Sequence, residues 1–174
     1  VADIPEGVAA NFHEMWVGDK RRTPARTPNA AHEAGDEPPE SDFFYTAGPA
    51  MIKDKDGKDV KSNAAFTFRE GDIQPWDSLN SNAIVVAFNS WTTSLMRVKS
   101  VDWENRVIEF TGPSRYPFCR WQNDQRYYIE HLFEGLDAPG ERNADHGANK
   151  LFYVPMKGEA LEGFTATLPQ ARQI

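Results

Sequence analysis

The sequence predicts an all-β domain, mostly antiparallel, closed as a barrel-like sheet or a distorted sandwich, with one short helix near 129–137. Three observations carry that prediction. AIVVAFNSW (83–91) is a near-continuous apolar run of strand length. In RVIEFTG (106–112), Val107, Glu109 and Thr111 alternate with Ile108 and Phe110, the period of a strand with one apolar face. Glycine, proline, Asn and Asp punctuate the chain between these runs.

The chain opens with a hairpin. FHEMWV (12–17) is aromatic-rich, Gly18-Asp19 supplies a two-residue turn suited to type II′ geometry, and KRRTPAR (20–26) returns. Thr23-Pro24 and Thr27-Pro28 place the end of the return strand on an edge. Residues 28–42 are polar, acidic and proline-bearing, and read as a loop. FFYTAGPAMI (43–52) carries a short strand, KDKDGKDVKSN (53–63) a charged loop around Asp56-Gly57, and PWDSLNSN (75–82) a turn-rich connector. The buried strand 83–91, TSLMRVKSVDW (93–103), a turn at Glu104-Asn105 and 106–112 form an antiparallel meander. A core of Ile84, Val86, Phe88, Trp91, Val98, Val107, Ile108 and Phe110 follows from it. Ile129, Leu132, Phe133 and Leu136 share one helical face, and Pro139-Gly140 ends that helix. NKLFYVP (149–155) and FTATLP (164–169) supply late strands.

The chain has 174 residues, the size of one ordinary domain, so 1–174 reads as a single β unit. Its net charge of −7 opposes the Lys and Arg excess that phosphate binding needs, so nucleic acid is not an expected partner. No apolar run is long enough to span a bilayer. The single cysteine, Cys119, excludes an internal disulfide. Val1 in place of an initiator methionine suggests a trimmed chain.

Motifs with known chemistry are sparse. Asp54–Asp59 has the composition of a calcium loop. Its glycine stands two places too early, however, and Ala65 occupies the position of the bidentate acid, so a solvated turn is expected there. His13, His32, His131 and His146 show no metal-ligand spacing, so neither metal nor cofactor is expected. There is no nucleophile elbow, P-loop or dinucleotide fingerprint, and no catalytic residue is assigned. A glycosidase-like acid pair needs two carboxyls roughly 5–10 Å apart across a cleft, a distance that spacing in sequence does not give.

The aromatic side chains are the most suggestive feature. Trp76, Trp91, Trp103, Trp121, Tyr127 and Tyr128 offer flat surfaces for the C–H faces of sugars. Trp91, at a strand end, is assigned to the core. Arg120, Trp121, Tyr127 and Tyr128, with Arg126 nearby, are the ligand-binding candidates.

Three stretches taken together, 12–29, 76–113 and 126–141 followed by LFYVP (151–155), resemble the right-handed parallel β-helix proteins related to glycoside hydrolase family 141. In that group a small β domain is inserted into the early coils. The family's pattern continues from Pro-Gly-Glu into an aromatic strand, where this chain has Arg142-Asn143-Ala144-Asp145. The resemblance implies a non-catalytic accessory domain of a carbohydrate-active parent, flanking its polysaccharide cleft. It also implies an extracellular or periplasmic protein, joined to its host near 12–29 and 141–155. The rest of the parent and polysaccharide would be its partners. Two rival readings are a structural or protein-interaction module and a self-contained hydrolase, the latter requiring two opposed acids in a pocket.

Overall fold

The computed structural model describes residues 1–6, 8, 12, 14–30, 36–160, 163 and 165–169. Among these residues, fourteen strands make two sheets: β1 (Ala2–Asp3), β2 (Met15–Val17), β3 (Lys20–Pro24), β4 (Arg26–Thr27), β5 (Phe44–Tyr45), β6 (Gly48–Lys53), β7 (Asp59–Thr67), β8 (Ile84–Asn89), β9 (Thr92–Asp102), β10 (Val107–Phe110), β11 (Arg126–Glu130), β12 (Glu141–Asp145), β13 (Lys150–Tyr153) and β14 (Ala166–Thr167). The smaller sheet runs β1-β13-β12-β3-β2-β14. The larger runs β4-β11-β8-β9-β10-β7-β6, with β5 paired to β11 off that path. Among the described residues, all pairings are antiparallel except β3 with β12. No helix among the described residues is long and apolar enough to cross a membrane.

The larger sheet curls around its own core. Phe66, Val85, Ala87, Met96, Val98, Ile108, Phe110, Tyr127 and Ile129 come from five of its strands and share one cluster with Phe118 and Leu132. Phe66, Phe110, Phe118 and Tyr127 pack there at centroid distances of 4.9–5.5 Å. A second, smaller cluster of Ile4, Phe12, Met15, Ala144 and Leu151 fills the other sheet.

The opening hairpin forms as its sequence indicates, with Val17 opposite Lys20 across Gly18-Asp19. Gly18 lies at φ +60° and Asp19 is not left-handed, which matches a type II′ turn. The meander β8–β9–β10 also stands, with a register shift between Glu109 and Phe110. Asp54 closes the β6–β7 turn as a solvated Asx motif. Its Oδ1 accepts the N–H groups of Asp56 and Lys58, both at 2.9 Å. The charged loop 53–63 is largely strand, because Lys53 ends β6 and residues 59–63 open β7, with Asp59, Val60 and Lys61 paired to Lys53, Ile52 and Met51.

The helix near 129–137 is replaced by the end of β11 and a single 3-10 turn, Phe133–Gly135. Tyr127 and Ile129 point inward two residues apart, a strand period that β-branched and aromatic residues favour. The His131 N–H goes to the Ala25 carbonyl at 2.9 Å, so the backbone is committed across strands rather than within a helix. Phe133 therefore leaves the apolar face and stands exposed against Phe152.

The core assignment also changes in detail. Val98, Ile108 and Phe110 are core. Ile84 and Val86 are also buried, but on β8 it is Val85 and Ala87 that enter the main cluster, while Ile84, Val86 and the half-buried Phe88 lie on the opposite face. Val107 is half-buried, and Trp91 is 76% exposed. His13 and His32 fall outside the described residues.

Candidate functional site: an aromatic platform on two loop tips

Asn89 pairs with Thr92, so Ser90-Trp91 is the two-residue tip of the β8–β9 hairpin. Ser90 sits at φ +58°, a left-handed conformation that costs a residue with a Cβ about 1–2 kcal/mol. Cys119 sits at φ +57° and opens the segment carrying Arg120 and Trp121. Two strained non-glycine positions thus precede the two tryptophans, and outliers of this kind cluster at functional sites.

The two tips meet. The rings of Trp91 and Trp121 lie 5.2 Å apart, and Trp121 is 48% exposed. Tyr116 joins edge-on at 5.5 Å from Trp121. The Arg120 guanidinium lies 5.0 Å from the Trp121 ring and 5.4 Å from Tyr116, and Arg115 lies 5.5 Å from Tyr116. Between the tips is a cleft of about 10 Å³ lined by Phe88, Asn89, Ser90, Arg120, Trp121 and Gln125, room for about one water. The feature is therefore an open stacking surface rather than a pocket.

Buried polar groups hold segment 119–125 in place. Gln125 donates from Nε2 to the Phe88 carbonyl at 2.7 Å and to the Asn89 side chain, and its Oε1 accepts the Cys119 N–H at 2.8 Å. Thr46 donates to the Asn123 carbonyl at 2.6 Å and accepts the Gln125 N–H at 3.0 Å. Lys61 donates to the Cys119 carbonyl. Burial pushes the Cys119 thiol up, so it is a protonated packing group rather than a thiolate nucleophile.

The sequence-predicted residues divide. Arg120 and Trp121 lie together on the platform. Tyr127 is fully buried and donates its hydroxyl to Asp72 Oδ2 at 3.0 Å; burial pushes its phenol strongly up. Tyr128 faces the other way, with the Arg26 guanidinium 3.8 Å from its ring centroid, and belongs to a cluster with Phe43 and Phe88. Trp76 packs on the core and Trp103 against Phe68. Sequence reasoning missed Trp91, Tyr116 and Arg115. The signal for Trp91 was its place between two strand-forming runs, where a two-residue tip must project.

A solved structure titled "Glycoside hydrolase" shares this fold. It superposes on 95% of this chain with a TM-score of 0.58 and 20% sequence identity. This chain spans 28% of that protein's length. No family model and no curated protein matches the sequence.

A broader groove of about 670 Å³ lies between the 77–82 connector and the β12–β13 turn, lined by Asp77, Arg97, Phe133, Glu134, Asp145 and His146 among others. Two of its acids, Glu134 and Asp145, carry structural bonds. Ser78 gives Glu134 its N–H at 3.2 Å and its hydroxyl, and Asp145 accepts the Ala148 N–H at 2.9 Å. Burial pushes the Glu134 carboxyl up, but those hydrogen bonds hold it below its usual value. Glu134 therefore lacks the retained proton of a glycosidase acid. No group of His, Cys, Asp and Glu among the described residues is arranged to hold a metal ion.

Proposed function

We propose that this chain is a non-catalytic accessory domain of a carbohydrate-active protein. The platform of Trp91, Trp121 and Tyr116 lies along a polysaccharide beside the parent's cleft. The observation that carries the reading is the pair of exposed tryptophans, brought together by two strained tips over a buried hydrogen-bond network. Exposed large aromatics are costly in water unless something covers them, and contiguous ones mark interaction sites. Aromatic faces fit the C–H faces of sugars, and the exposed Gln122 and Arg120 supply polar neighbours for hydroxyl groups. The fold shared with a longer protein titled "Glycoside hydrolase" supports the same reading.

The rest of the parent is the second partner in this proposal. An apolar groove of about 470 Å³ runs along the smaller sheet, lined by Ala2, Met15, Leu151, Tyr153, Ala166 and Leu168 among others. Packing the host there leaves the platform, on the larger sheet, open to ligand. On this reading the protein acts outside the cytoplasm, where polysaccharide is met.

Affinity electrophoresis and calorimetry of the chain against plant and algal polysaccharides test the glycan role. W91A and W121A are each expected to weaken binding about two- to tenfold, taking aromatic stacking as worth about 0.5–1.5 kcal/mol. Absence of binding to any polysaccharide leaves the interaction-module reading.

A further inference from the structure

We infer that the platform selects anionic polysaccharide, and that the group it recognises is the carboxylate of a uronic acid. This rests on the glycan reading above and narrows it to a substrate class. The chain as a whole carries −7, yet segment 113–128 holds Arg115, Arg120 and Arg126 against the single carboxylate of Asp124. Lys61 brings a further cation to the Cys119 carbonyl in the same segment. Of these cations, Arg115 and Arg120 stand at the exposed aromatic surface itself, so an acidic molecule places positive charge there.

These cations differ from the arginines of the smaller sheet. Arg21 is paired with Glu14 and Arg22 with Glu159. Arg115 and Arg120 make no ion pair with any described carboxylate; they lie against aromatic rings instead. A guanidinium held near a ring rather than by a carboxylate keeps N–H donors available. Those donors form a planar fork, and a carboxylate satisfies it with two parallel hydrogen bonds. A neutral sugar needs stacking and hydroxyl contacts but gives two unpaired cations nothing to neutralise. A uronate chain supplies a stacking face and a carboxylate on each residue, matching both halves of the surface.

The test uses the whole chain with three probes: polygalacturonate, the same polymer after reduction of its carboxyl groups, and a sulfated neutral galactan. Calorimetry at low and high salt is expected to show polygalacturonate bound at least tenfold more tightly than its reduced form, with the difference shrinking as salt rises. The double variant R115Q/R120Q is expected to bring the ratio between the two polymers close to one, since removing a charge-assisted hydrogen bond weakens binding about tenfold. W121A is expected to weaken both polymers and leave the ratio in place. Equal binding of the charged and reduced polymers, or preference for the sulfated galactan, overturns the uronate assignment while the platform reading stands. No binding to any of the three, or binding indifferent to W91A and W121A, overturns both.

Discussion

Trp91 and Trp121, thirty positions apart in the chain, place their ring centroids 5.2 Å apart with planes tilted by 49°. Because both are exposed, removing either should leave folding intact. W91A and W121A are expected to shift unfolding free energy by no more than about 0.5 kcal/mol, the range for surface changes. Urea titration checks this. A large loss of stability in both would make the pair a structural brace and remove the platform.

The strain at Ser90 gives a second expectation. Gly18 occupies the equivalent first tip position of the β2–β3 hairpin at φ +60°, where it carries no steric cost, while Ser90 adopts φ +58° with a Cβ. Ser90→Gly is therefore expected to stabilise the fold by about 0.5–1 kcal/mol, after allowing for the added freedom of the unfolded chain. Gly18→Ala is expected to destabilise by about 1 kcal/mol. Chemical denaturation of both variants, read against the parent chain, decides it.

Much of the β framework was legible in the sequence. The meander β8–β9–β10 could be read because alternation and turn residues agree there. The facing of β8 could not, since IVVAF offers apolar side chains to both faces and both are covered. Strand β12 was hidden by its composition. Glu141, Arg142 and Asn143 are buried polar residues, with Arg142 1% exposed, and their places are set by neighbours far away in sequence. The site was half legible. Once 126–130 is a strand, adjacent residues face opposite ways, so Tyr127 and Tyr128 cannot share a ligand surface. The helical spacing of Ile129, Leu132, Phe133 and Leu136 concealed that alternation.

Burial makes stability depend on acid. Glu130 is buried beside Arg142 and Arg26, and burial pushes its carboxyl above the ordinary glutamate value despite those charges. Burial likewise raises Glu141 and Asp72. The folded chain then holds protons that the unfolded chain has released. Its contribution to stability is complete below the unfolded value and is lost as pH rises through the folded one. The share of stability owed to Glu130 is therefore expected to decline as pH climbs from the ordinary carboxylate range through that raised range, opposite in sign to the share owed to the lowered Glu134, and Glu130→Gln is expected to remove it. Thermal melts across this window measure it. Unchanged steepness in the variant would show that Glu130 is not the titrating group.

The Glu141 carboxylate accepts three backbone N–H groups, from Arg26 at 3.3 Å, Asp137 at 3.1 Å and Ala138 at 3.0 Å. Glu141→Ala leaves these donors without an acceptor, at about 1–3 kcal/mol for each one that stays buried. A loss of at least about 2 kcal/mol is expected. Glu141→Gln, which keeps one acceptor oxygen, is expected to lose less. Equal losses in guanidinium titrations would move the effect from hydrogen bonding to packing.

Tyr127 gives a smaller effect of the same kind. Tyr127→Phe removes one hydroxyl bond to Asp72 from an otherwise unchanged ring, so a cost of about 0.5–1.5 kcal/mol is expected. Tyr127→Ala, which opens a cavity among Phe44, Phe66 and the core strands, is expected to cost about 3–5 kcal/mol by analogy with Phe→Ala. Equilibrium unfolding separates the two.

The larger sheet leaves and re-enters the smaller one side by side. Thr27 and Arg26 pair with Ile129 and Glu130, while Ala25 exchanges backbone bonds with Arg142 and His131. Tension drawn along the chain can pass across that short seam without traversing 28–125. A pull on both ends would first peel β1 and β14, the outermost strands of their sheet, while the aromatic tips keep their spacing. Under such a load the Trp91–Trp121 pair lies off the line of force, and its spacing does not depend on the strands that yield first.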